Sequence, residues 1–106
     1  MELINRHRKE LYNACNNYKV NELYAFGSIL TSRFNQESDI DLIVSIVSND
    51  PIEYAENYLN LKFELEEIFK RKIGLLEEKA IRNKSFEQII NKKKMLIYAR
   101  RTQGLA

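Results

Sequence analysis

Two carboxylates spaced one residue apart, Asp39 and Asp41, follow the pair Gly27-Ser28, the first of them eleven residues after the serine. Acids at alternate positions of a strand point to the same side, with Cα atoms about 6.5 to 7 Å apart. Such a pair can converge on Mg²⁺ ions held roughly 3.5 to 4 Å from one another. A Gly-Ser turn at the end of an apolar strand presents free backbone N–H groups, which favour an anion. Together these residues could hold a nucleoside triphosphate through Mg²⁺. Phosphoryl and nucleotidyl transfer ask little covalent chemistry of a protein; they require positioning and neutralisation of charge. An Asp-x-Asp pair alone would carry little weight, because acids are common at strand edges. Its meaning here comes from the Gly-Ser turn before it and the apolar run after it.

The elements that must place these residues are legible in the apolar spacing. Ile4, His7, Leu11, Cys15 and Tyr18 recur at three- and four-residue steps, which predicts an amphipathic helix over 2–18, with His7 packing at the edge of its stripe. Leu23-Tyr-Ala-Phe26 reads as a buried strand ending at Gly27, and Ser28 to Phe34 as a brief helical turn. Asp39 to Val47 alternates as a second strand, with both aspartates on one face. Asp50 as N-cap, Pro51 at the first helical position and Glu53 behind them open a helix. It is expected to run to about Arg71, with Ala55, Tyr58, Leu61, Leu65, Ile68 and Phe69 inward. Lys72 to Glu77 reads as a third strand beside the second. Asn83 to Asn91 reads as a last helix with Ser85 as cap, and Met95 to Tyr98 as a segment closing the sheet or docking as a helix end. The fold class is α/β: a small mixed sheet, helices mainly on one face, and the Gly-Ser turn and aspartate pair at one edge of the other.

Length and composition bound the rest. The chain of 106 residues, 44% hydrophobic and 30% charged, suits one compact domain over 1–103 with a loose tail at 104–106. No window approaches the roughly 18 apolar residues of a membrane span, and Met1-Glu-Leu-Ile-Asn lacks the regions of a signal peptide, so a cytoplasmic protein without membrane contact is expected. Cys15, the single cysteine, reads as a buried packing thiol. A net charge of +2 is too small to argue for nucleic acid, although basic residues cluster at Arg6, Arg8 and Lys9, at Lys70-Arg71-Lys72, and at Lys92-Lys93-Lys94 with Arg100-Arg101. These clusters read as solvated helix ends, where the dipole favours cations. Tyr54 and Tyr58, one turn apart, read as core packing, with a homo-oligomer left open.

Gly27-Ser28 through Asp39-x-Asp41 resembles the signature of the DNA polymerase beta nucleotidyltransferase superfamily. The small size resembles its minimal members, among them antitoxins paired with HEPN-type RNase toxins. Ser38-Asp-Ile-Asp-Leu-Ile-Val44, Leu75-Leu-Glu-Glu-Lys-Ala-Ile81 and Leu96-Ile-Tyr98 are similar to that family, so the likeness covers nearly the whole chain. The resemblance implies a nucleotidyltransferase fold. It further implies that Gly27 and Ser28, with Arg33 and Ser38, bind the nucleotide, and that Asp39 and Asp41 are the catalytic pair holding Mg²⁺. ATP or another nucleoside triphosphate would be the substrate, and AMP would pass to a protein hydroxyl, a tyrosine of the partner toxin in the antitoxin-like members.

The sequence departs from that pattern twice. Where the family often carries arginines and a glycine just after Gly-Ser, this chain has Ile29, Leu30, Thr31 and Ser32, leaving Arg33 as the nearest cation. Where the family usually carries a third carboxylate on the strand after the long helix, it has Gly74. Glu77 has the wrong strand parity to replace that acid, and Glu78 lies about 13 Å along. Three functions follow: a working nucleotidyltransferase, a catalytically weakened antitoxin module that restrains its partner by binding, or the nucleotide-adding half of a split nucleic-acid polymerase.

Overall fold

The structure, a computed structural model, describes residues 1–100; the tail expected at 104–106 lies outside the described residues. The chain opens with two helices, α1 (Glu2–Arg6) and α2 (Arg8–Asn17), where one was expected. The break is at His7, and its side chain explains it. The ring Nδ1 lies 3.1 Å from the Leu3 carbonyl, and the His7 amide instead bonds the Ile4 carbonyl at 3.1 Å. A side chain inserted into the i→i−4 ladder is an ordinary cause of a kink. The ring also meets Phe69 edge-on at 5.4 Å, the packing role expected of it.

Strand β1 (Val20–Phe26) leads into a 3₁₀ turn (Gly27–Leu30), and β2 (Ile40–Ile46) follows after a loop. Helix α3 (Pro51–Phe69) begins as expected, the Asp50 carboxylate accepting from the Ile52 amide at 2.9 Å. It stops at Phe69, two residues short of the expected end, because Lys70 turns into the left-handed region at φ 55°. Leu61, Leu65 and Phe69 are buried and Tyr58 and Ile68 partly so, but Ala55 is exposed. At 100° per residue, position 55 falls off the stripe that 58, 61 and 65 define. After β3 (Ile73–Glu77) and a short 3₁₀ turn at Glu78–Ala80 comes α4 (Lys84–Lys93). Its cap is Asn83, whose Oδ1 accepts from the Phe86 amide at 2.9 Å, and not Ser85. Strand β4 (Met95–Ala99) closes the sheet.

The strand order is β3-β2-β1-β4, with β1 antiparallel to both β2 and β4, and β2 parallel to β3 across the α3 crossover. The core under α1, α2 and α3 includes Ile4, Leu11, Cys15, Leu23, Leu42, Val44, Leu65 and Ile73. Cys15 is a packing thiol there, and burial pushes its pKa up. The other face is partly covered by α4: Ile43 and Ile90 are buried outside the main cluster and line one groove together. Tyr54 and Tyr58 pack against β3, the Tyr58 hydroxyl donating to the Leu75 carbonyl at 2.5 Å. Among the described residues no helix is long and apolar enough to cross a membrane.

Candidate active site

The end of β1, the start of β2 and the start of β3 meet at one end of the sheet, and the residues singled out by type gather there. Gly27 leaves β1 at φ 77°, a conformation that favours glycine. The 3₁₀ turn that follows ends by Leu30, closed by the Thr31 amide and hydroxyl on the Ser28 carbonyl at 2.9 and 2.8 Å, and does not extend to Phe34. Asp41 lies inside β2, paired with Phe26 on one side and Gly74 on the other. Asp39 lies just outside the strand, on the loop that enters it, and is exposed.

The Asp41 carboxylate sits between two glycines. A Cβ built on Gly27 would lie 2.8 Å from its Oδ2, and one built on Gly74 would lie 2.8 Å from its Oδ1. Any side chain at either position would displace it. Partial burial, and next the Asp39 charge, raise the Asp41 pKa from its ordinary value. Among the described residues neither aspartate has an ion pair or a side-chain hydrogen bond to neutralise it. Two hard oxygen donors left unneutralised side by side fit Mg²⁺, which is commonly held by one or two carboxylates with substrate phosphates and water completing its shell. No group of three or more metal-binding side chains occurs among the described residues, so the protein's share would be this pair.

Gly74 pairs directly with Asp41, at the position where the family resemblance implies a third acid. Neither nearby glutamate replaces it. Glu77 faces α3, where its charge, behind burial, raises the Tyr54 and Tyr58 pKa values, Tyr54 to about 12. Glu78 lines the groove with Ile43 and Ile90, beyond the strand.

The loop that carries Asp39 is tied down by a residue that the sequence marked only as part of a basic cluster. With the Lys70 turn complete, Arg71 leaves the helix and reaches back across the loop. Its Nη1 donates to the Asn35 carbonyl at 3.0 Å and the Ser38 carbonyl at 2.8 Å, and its guanidinium lies 4.7 Å from the centre of the Phe34 ring. Ser38 belongs to the same fastening, its Oγ accepting from the Asn35 amide at 3.1 Å, so its hydroxyl serves the loop. Arg33, two residues past Thr31, is exposed, its amide donating to the Thr31 hydroxyl at 3.2 Å.

A family model described as "Polymerase beta, Nucleotidyltransferase" matches residues 9–103. The chain belongs to the polymerase beta nucleotidyltransferase family. Over 82 residues it is 35% identical to "Putative protein adenylyltransferase MJ1379" of Methanocaldococcus jannaschii, covering 77% of this chain and 78% of that one. Among solved structures it resembles one described as "Structure of putative minimal nucleotidyltransferase", with TM-score 0.71 and 19% identity, over 89% of this chain and 92% of that one. It also resembles a complex of a tri-AMPylated Shewanella oneidensis HEPN toxin with an MNT antitoxin, with TM-score 0.61 and 14% identity, over 94% of this chain and 76% of the other. At these identities the two structures establish the shared fold. In this member of the nucleotidyltransferase family, the departure at Gly74 was read from the sequence through the family resemblance. Arg71 was hidden because its role depends on where α3 stops.

Proposed function

We propose that this nucleotidyltransferase binds ATP with Mg²⁺ at Asp39, Asp41, Gly27 and Ser28 and transfers AMP to a protein hydroxyl, as the antitoxin-like partner of a HEPN-type toxin. The observation that carries the reading is the Asp41 carboxylate, held against the Gly27 turn with no ion-pair partner among the described residues. The curated relative named as a protein adenylyltransferase supports AMP as the group transferred. The AMPylated toxin bound to the structural neighbour supports the partner. Bound Mg²⁺ would neutralise phosphate oxygens and stabilise charge as the α-phosphorus bond to pyrophosphate breaks. The protein's own residues do the rest: Gly27 lets the chain approach the phosphates, Asp41 and Asp39 fix the cation, and Arg71 holds the Asp39 loop in place. The acceptor proton has no acid at position 74 to receive it, so transfer is slow and water takes that proton.

Gly74 itself favours a second reading, a module that restrains its toxin by binding, with the old site as scaffold. Labelled ATP, Mg²⁺ and the partner separate the two. Label on the partner above an Asp41→Ala control is expected for the first reading, and its absence would sink it. In Gly74→Asp the new Cβ would lie 2.8 Å from the Asp41 Oδ1, so the Asp41 carboxylate must shift, and retained Mg²⁺ affinity is the control that keeps the comparison valid. A strong gain in AMP transfer with unchanged partner binding identifies the missing acid as the limit. Equal rates for the wild type and Gly74→Asp count against that account.

A further inference from the structure

A triphosphate laid on the Gly27 turn needs more positive charge than the metal supplies, and the residues that follow the turn offer none, being Ile29, Leu30, Thr31 and Ser32. The sheet brings a cation from elsewhere. Because β4 runs antiparallel to β1 and pairs Met95 with Ala25, the residues just before Met95 come level with those just after Phe26. Lys94 settles its ammonium 4.1 Å from the centre of the Tyr24 ring. The preceding Lys93, at the end of α4, lines with Gly27, Leu30 and Thr31 a cavity of about 360 Å³. Gly27 thus both adjoins the Asp41 carboxylate and lines the cleft that Lys93 lines. The helix dipole accounts for a basic residue at this helix end. It does not account for one lysine of the Lys92-Lys93-Lys94 run lining a cleft with the phosphate turn.

We infer that Lys93 is a phosphate ligand, supplying from the far end of the chain, through the pairing of β4 with β1, the cation that the Gly-Ser turn lacks and so selecting a triphosphate over a monophosphate. The inference rests on the nucleotide-binding reading above. Calorimetric titration with ATP, AMP and inorganic tripolyphosphate, each with Mg²⁺, tests it on the wild type, Lys93→Ala, Lys93→Arg and Lys92→Ala. Loss of one charge-assisted contact should weaken ATP and tripolyphosphate binding by roughly tenfold to a hundredfold in Lys93→Ala. AMP binding should be unchanged, Lys93→Arg should restore most of the loss, and Lys92→Ala should match the wild type. Wild-type binding of ATP with no loss in Lys93→Ala, or equal losses for ATP and AMP, overturns the assignment while leaving the nucleotide site standing. A wild type that binds neither ATP nor tripolyphosphate brings down the nucleotide reading, and this assignment with it.

Discussion

Asp41 is an expense to the folded chain when no metal is bound. Its carboxylate is partly withdrawn from water beside a second negative charge, which raises its pKa. An acid whose folded pKa is raised makes the protein most stable when protonated, and that stability is lost as pH rises through the folded pKa. At neutral pH the ionised group therefore works against folding, as groups kept for function often do. Asp41→Asn should raise the melting temperature of the metal-free protein by on the order of a degree or two and flatten its dependence on pH across the carboxylate range. Added Mg²⁺ should then stabilise the wild type and leave the variant unmoved. Thermal melts with and without the ion check both statements. That Asp41 lies on a strand after the Gly27 turn was legible from residue spacing, whereas the gap at Gly74 was legible only through the family resemblance. What the spacing could not show is that one carboxylate touches both glycines.

Helix ends decide the rest of the site. The left-handed turn at Lys70 stops α3 early and releases Arg71 to grip the Asn35 and Ser38 carbonyls. A helix continued to Arg71 would carry that guanidinium away from the loop. Arg71→Ala should weaken Mg²⁺ binding roughly tenfold through the loosened Asp39 loop, while Arg71→Lys recovers part of it, since a lysine cannot present the same planar fork. The readout is metal affinity against melting temperature, and a parallel collapse of both would show a fold effect instead. Most element types were legible from periodicity, but Met95 to Tyr98 was left open between a strand and a docking helix end, and its pairing with β1 decides for the strand. Their ends were less so: the His7 ring displaces a helix bond, and Asn83 rather than Ser85 caps α4. Both outcomes depend on side-chain competition for a few backbone groups, which periodicity does not record.

For the whole molecule, the sheet separates two surfaces of different character. The site and α4 occupy one side, while α3 turns Ile52, Leu59 and Phe63 to solvent, the last 58% exposed. These three fall within about 40° of one another around the helix, opposite the buried Leu61 and Leu65. Under the proposed function this exposed apolar stripe is a surface to test for the protein partner. Phe63→Glu should abolish co-purification with the toxin and leave nucleotide affinity intact, whereas retention of the partner would move the interface elsewhere. The pairing of β4 with β1 has a further consequence for how such a protein comes into being. β2, α3 and β3 lie next to one another along the chain, so Asp41 and Gly74 can meet early. The Lys93 cleft requires the last strand to find the first, a distant closure that comes slowly. Under the inference drawn for Lys93, a chain whose β4 has not yet paired with β1 lacks one wall of the phosphate cleft, and its full grip on a triphosphate comes only with that last closure.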